Sequence, residues 1–329
     1  MADRLAAMEA QEDDDEIFVY MGGHQRVPGG IRRARIHKDV EIILEQAFQD
    51  CWRLISVEFH DGIEIIEKYA FLWCTSLSGS IKLLSVKAIK AKAFSNCTAL
   101  TDVEFGDKLE IIGQEAFGSC TLLRNIIMPQ VKTIGGWAFD SCKLTDLELP
   151  EVLETIGGYA FRNCESLRHI TLPLKDDMIE GGVFDGCCNL TTVDLVGGIH
   201  YTVASLHLES WRDEMTDEIN RINQVLPNTN ARYPWQKTEE IEQWMESVIR
   251  RLDHYKAEHH KLLKEATTLL ELALWKANLD ENEGDLVDRE GVRTTRRQLK
   301  RARKEISVTS GASIVIKNVL PFLGLNRSL

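Results

Sequence analysis

Seven phenylalanines, Phe48, Phe71, Phe94, Phe117, Phe139, Phe161 and Phe184, follow one another at intervals of 22 or 23 residues. Isoleucine stands five residues before each (Ile43, Ile66, Ile89, Ile112, Ile134, Ile156 and Ile179), and alanine directly before the first six. Cysteine follows each by three: Cys51, Cys74, Cys97, Cys120, Cys142, Cys164 and Cys187. Leucine comes next, then an alternating apolar pair such as Val57 and Phe59, Val103 and Phe105, or Val193 and Leu195. A unit of this length cannot bury its apolar face alone, whereas stacked units bury a continuous one, so the period dictates a solenoid. Within a unit the alternating pair predicts a short strand, its apolar side chains inward and the intervening residues outward. Pro129, Pro150 and Pro173 close that strand where no further ladder donor is needed.

The even cysteine ladder excludes two common uses of the residue. Disulfide frameworks and zinc sites show clustered pairs, the latter with histidine partners. A ladder puts each thiol in one repeat slot, as a small buried hydrophobe with a weak donor. Unpaired thiols fit a reducing compartment. The opening stretch MADRLAAMEAQEDDDE has neither the basic nor the apolar segment of a secretory signal. The expectation is a cytoplasmic protein that is not secreted, with residues 1–29 as an acidic, largely disordered tail.

The motif A-F-x-x-C-x-x-L with an upstream I-G, as in Ile156-Gly157-Gly158-Tyr159-Ala160-Phe161-Arg162-Asn163-Cys164, resembles the BspA-like leucine-rich repeats. Such repeats are abundant in bacterial surface proteins and in protists, including diatoms. The resemblance covers roughly residues 31–200. It implies a right-handed α/β solenoid of about seven units with a parallel sheet on its concave face, a role in protein binding, and no catalytic residues. One unit departs from the pattern: after Leu77 the strand reads Ser78-Gly79-Ser80-Ile81-Lys82-Leu83, its apolar pair displaced by one. A bulge or local slip is expected there.

The solenoid is expected over 30–205 and an all-helical region, bundle or coiled coil, over 206–329. Leu208, Trp211, Met215, Ile219, Ile222 and Leu226 form one helical stripe, ended by Pro227. Thr238, followed by Glu239 and Glu240, reads as the cap of a helix running to about Leu279. Ile241, Met245, Val248, Leu252, Tyr255, His259, Leu262, Ala266 and Leu269 alternate by four and three. Trp244, Ile249, Leu263, Leu270 and Trp275 widen the stripe beyond a coiled-coil seam, as in an intramolecular bundle. These helices should close the C-terminal end of the solenoid. His259 and His260 read as packing and surface residues. Residues 289–304 hold eight bases and one acid, leaving three readings open: the solvated face of a helix, a nuclear-localisation or nucleic-acid patch, or a membrane-surface helix. Residues 306–325 are apolar but too polar for a membrane span.

No phosphate-binding loop, dinucleotide fingerprint, nucleophile elbow or calcium loop occurs in the chain. Neither enzyme chemistry, cofactor, metal nor small-molecule substrate is expected. The net charge of −12 disfavours general nucleic-acid binding. What remains is the outward strand face, where Ser56, Asn125, Thr171 and Thr192 alternate with eight candidate partner-binding residues. These are Glu58, Asp102, Glu104, Ile127, Asp146, Glu148, His169 and Asp194, with Arg33 and Arg35 in an N-terminal half-unit. An acidic stripe broken by Ile127 suits a basic segment of a partner protein, since one-signed surfaces steer association; acids also simply keep a sheet soluble. The expected function is a non-enzymatic protein-interaction scaffold, with a structural protein oligomerising through its long helix as the alternative.

Overall fold

The computed structural model describes residues 17–23, 26–196, 209–229, 233 and 235–286. The acidic tail before residue 17, the basic stretch 289–304 and the apolar stretch 306–325 lie outside the described residues. The chain divides into two compact units, one of residues 1–199 with 214–249, the other of 200–213 with 250–329.

The first unit is a solenoid in which six coils contribute two strands each and the coils at its ends contribute one. In chain order they are β1 (Ile17–Tyr20), β2 (Arg33–Ile36), β3 (Ile42–Ile43), β4 (Ser56–Glu58), β5 (Ile65–Ile66), β6 (Gly79–Leu83), β7 (Ala88–Ile89) and β8 (Leu100–Phe105). There follow β9 (Ile111–Ile112), β10 (Asn125–Ile127), β11 (Thr133–Ile134), β12 (Asp146–Glu148), β13 (Thr155–Ile156), β14 (His169–Leu172) and β15 (Thr192–Leu195). The V-x-L strands pair in parallel as β1-β2-β4, β6-β8-β10 and β12-β14-β15. The strands ending in the isoleucine column form a second, six-stranded parallel sheet. Two-residue strands are too short to show alternation, which is why the period reveals the column but not the sheet.

The expected slip is present: β6 shifts register against β8 between Gly79 and Ser80. The parallel sheet extends before residue 30. Ile17–Tyr20 already pairs with Arg33–Ile36, and Tyr20 is fully buried with its ring 5.2 Å from that of Phe48. Tyr20 occupies the strand column and no phenylalanine slot, so the repeat motif does not reveal this first half-coil.

The core is a column of rings and thiols. Successive phenylalanines stack at 4.8, 4.9, 5.2, 5.5, 5.4 and 6.1 Å between ring centroids, all fully buried. Enclosure of each is worth on the order of 1.5–3 kcal/mol. Each Phe N–H donates to the residue before the next phenylalanine, from Phe48 to the Ala70 carbonyl at 2.7 Å up to Phe161 to the Val183 carbonyl at 3.0 Å. Each ladder thiol after Cys51 donates back to the preceding coil's phenylalanine carbonyl: Cys74 to Phe48 at 3.1 Å, Cys120 to Phe94 at 3.2 Å, Cys187 to Phe161 at 3.1 Å, with Cys97, Cys142 and Cys164 alike, whereas Cys51 donates to the Pro28 carbonyl. Cysteine suits this slot because it satisfies a buried carbonyl while filling space as a hydrophobe. None of the cysteines is disulfide-bonded, and only Cys188 is exposed. Burial pushes the thiols of Cys120 and Cys187 up to about 12 and that of Cys51 to about 11.

The turns carrying these rings are strained. The residues two before and two after each of the first six phenylalanines, such as Glu115 and Ser119 around Phe117, all have positive φ. Left-handed backbone costs a non-glycine residue roughly 1–2 kcal/mol, a cost the inter-coil hydrogen bonds and ring stacking offset. Gly135 marks a tight approach between coils: a Cβ there would lie 2.5 Å from the Gln114 amide nitrogen. Backbone cannot yield as a side-chain tip can, so Gly135→Ala should cost more than about 3 kcal/mol, read as a fall in the urea midpoint. A loss under about 1 kcal/mol would contradict such tight stacking.

Helical residues 214–249, which belong to the first unit, close the solenoid, as the position of the stripe predicts. The helical region comprises α1 (Glu209–Val225), a 3-10 turn at Leu226–Asn228, and α2 (Gln236–Leu286). In the first unit Met215, Ile222, Leu226, Ile241, Trp244, Met245 and Val248 are buried, and the Trp244 indole donates to the Glu218 carbonyl at 3.1 Å. Thr238 is not the expected cap of its own helix, which begins two residues earlier. Its hydroxyl accepts the Phe184 N–H at 3.0 Å and donates to the Asp185 carboxylate at 3.0 Å. It thus takes the place of the next coil's carbonyl. Likewise the Asn223 side-chain carbonyl accepts the Val193 N–H at 2.8 Å, and the Lys237 ammonium donates to the carbonyls of Leu190 and Leu226.

In the second unit, Leu252, Tyr255 and Ala266 of α2 are buried, while Leu269, Leu272, Leu274 and Trp275 are exposed. The stripe that is fully packed at Ile241 is thus open by Leu269. No helix among the described residues is long and apolar enough to cross a membrane.

Candidate functional site

Alternation along β2 to β15 puts two columns of side chains on the outer surface of the V-x-L sheet. Registers place Arg33 beside Ser56, Ser80 beside Asp102, Asp102 beside Asn125, Asp146 beside His169 and His169 beside Thr192. The second column runs Arg35 beside Glu58, Lys82 beside Glu104, Glu104 beside Ile127, Glu148 beside Thr171 and Thr171 beside Asp194. All eight candidate residues lie on this face. Glu58, Glu104, Ile127, Asp146 and Glu148 are exposed, and Asp102, His169 and Asp194 are half-buried.

The face is not the uninterrupted acidic stripe its sequence implies. Arg35 bridges Glu58, and that hydrogen bond holds the Glu58 carboxyl below its ordinary value. Lys82 bridges Glu104 at 2.9 Å. Lys82 is the residue the sequence reading misses, because the slip at Gly79 moves it into the outward column. Asp102 accepts hydrogen bonds from the Thr101 hydroxyl at 2.7 Å and the Asn125 amide at 3.0 Å, which together hold its carboxyl below the usual range. The Asp194 carboxylate accepts the Leu195 N–H at 2.8 Å.

Charge in the N-terminal half of the face therefore alternates and cancels locally. The C-terminal half differs. Ile127 is 68% exposed, and among the described residues neither Asp146 nor Glu148 has an ion-pair or hydrogen-bond partner for its side chain. Isolated exposed isoleucines on a sheet are ordinary. One followed, on the next coil's strand, by two unpaired carboxylates is equipped to hold a side chain with an apolar stem and a cationic end.

Residues 30–98 and 87–204 match the family profile described as BspA type leucine rich repeat region, in six copies. Among solved structures, the chain is similar to a leucine rich repeat protein of T. pallidum, at 25% identity over 54% of this chain and 72% of that one, with a TM-score of 0.37. It is also similar to a leucine rich cell surface protein from Faecalibacterium prausnitzii A2-165, at 20% identity over 51% and 61%, with a TM-score of 0.36. No curated protein matches.

Proposed function

Because the chain belongs to the BspA-type leucine-rich repeat family, we propose that it is a non-enzymatic scaffold whose outward strand face docks a basic segment of a partner protein. The observation that carries this reading is the exposed Ile127 beside unpaired Asp146 and Glu148. Parallel pairing of β12 with β14, about 4.8 Å apart, holds Asp146 and Glu148 at fixed spacing beside His169 and Thr171, so little order remains to be imposed on these groups when the scaffold binds. His169, in register with Asp146, borders the patch. Free thiols fit a reducing, cytoplasmic setting.

The test begins with affinity capture by the full chain, followed by titration of the captured protein. Asp146→Lys with Glu148→Lys should weaken binding by about tenfold or more and lower its salt dependence. Glu104→Lys should do less, because Lys82 already neutralises that position. Both substituted positions of the pair are exposed, so stability should change by less than ~0.5 kcal/mol. Unchanged affinity in a folded double variant would remove the strand face as the docking surface.

A second reading, homo-oligomerisation through the helical region, is favoured by one observation: the exposed Leu269, Leu272, Leu274 and Trp275 on α2. Sedimentation equilibrium decides it, since a strict monomer at high micromolar concentration is incompatible with an assembly role.

A further inference from the structure

On the face formed by the phenylalanine turns, one coil breaks the repeat in a way that opens a groove. The residue after each ladder phenylalanine is Gln49, Leu72, Ser95, Gly118, Asp140, Arg162 and Asp185 in turn, so only the fourth coil has no side chain there. Above Gly118 lies a groove of about 340 Å³, lined by Asn96, Gln114, Glu115, Ser119, Trp137 and Asp140 among others. That volume is within the range of small-ligand sites.

One wall is aromatic and braced. Trp137 stacks on Tyr159 at 5.2 Å and 21°, and the Arg162 guanidinium sits 5.8 Å from the Tyr159 ring centre. The remaining wall is rich in amides and hydroxyls, which both donate and accept hydrogen bonds. Its two acids are both already engaged: Glu115 is bridged by Lys92 at 3.2 Å. Asp140 is half-buried, which pushes its carboxyl up, and it accepts hydrogen bonds from the Ser141 hydroxyl at 3.1 Å and the Asn163 amide at 3.4 Å.

We propose that this groove is a binding site for a neutral saccharide, with one sugar ring laid against the Trp137 face and its hydroxyls bonded to Asn96, Gln114 and Ser119. The electron-rich indole face attracts the partly positive C–H groups of a pyranose, while its hydroxyls exchange water for amides and carboxyl oxygens. A cationic ligand fits less well, because an ammonium cage needs several converging rings and the acids here are already engaged.

The full chain should be applied to an array of neutral hexose and N-acetylhexosamine oligosaccharides, and the best-retained oligosaccharide titrated calorimetrically. Saccharide binding should weaken about tenfold or more in Gly118→Leu, which restores the side chain the second coil carries, and in Trp137→Ala. A Cβ at Gly118 meets nothing closer than 3.5 Å, so that variant should keep the parent melting temperature and separates a plugged groove from a damaged fold. Retention of no oligosaccharide, undiminished binding by Gly118→Leu, or displacement of the sugar by millimolar tetramethylammonium would each overturn the assignment.

Discussion

Between pH 9 and pH 10 the solenoid should lose several kcal/mol of stability, its buried thiols releasing protons only as it unfolds. The ordinary thiol value is 9.0, whereas burial holds Cys120 and Cys187 at about 12 in the folded chain. A folded value above the unfolded one means that the native state binds more protons once the pH exceeds 9. Stability from these groups is therefore complete below pH 9 and falls as pH rises toward 12. At pH 10 each such thiol costs about 1.4 kcal/mol. Cys74, Cys97, Cys142 and Cys164 are shifted in the same direction for the same reason, desolvation by burial. With Cys51 at about 11, three such thiols together cost about 4 kcal/mol at pH 10, a sizeable part of the stability of a typical domain, and the other four act in the same direction. Lys237, whose value is lowered by burial, works in the opposite sense, as one group against seven. The measurement is the urea midpoint at pH 7 to 10, with thiolate absorbance near 240 nm followed in parallel. Thiolate should appear only with the unfolding transition. Six thiolates forming by pH 10 in a chain with unchanged circular dichroism would show that the slots are not closed to water.

How much of this molecule its sequence discloses depends on whether a feature repeats. The phenylalanine, isoleucine and cysteine columns recur in every coil, so the solenoid and its inward residues are legible, as is the slip at Gly79, which shows as a break in register. Which strand residues face outward follows from alternation alone. Their pairing does not. Arg35 and Glu58 are one period apart and could be matched by alignment, whereas Lys82 and Glu104 are matched only once the slip is placed. Thr238 carries a local signature, a hydroxyl ahead of two acids, that tertiary structure overrides: the helix begins earlier and the hydroxyl serves the solenoid. Gly118 is visible only as a missing side chain, which gains meaning when Trp137 of the next coil is seen beside it.

Cutting the chain after Ala204 should produce a solenoid that aggregates or melts far below the parent. The last coil shows why. Phe184, Leu190 and Val193 are all fully buried, yet among the described residues no eighth coil follows them. In every earlier coil the phenylalanine N–H finds the next coil's carbonyl; at Phe184 it finds Thr238, and at Val193 it finds Asn223. Truncation would remove both acceptors and expose an apolar column on a sheet edge that templates further strands. Two effects are combined in that cut, and a point variant separates them. Thr238→Val keeps the shape of the cap but strands the Phe184 donor, which should cost about 1–3 kcal/mol without causing aggregation. Truncation should exceed this by several kcal/mol, because the packing of the cap on the last coil is lost as well. Light scattering and thermal melts of the parent, the variant and the truncated chain are the measurements. A truncated chain that is monomeric and as stable as the parent would mean that the helices are an independent domain resting on a solenoid already complete without them.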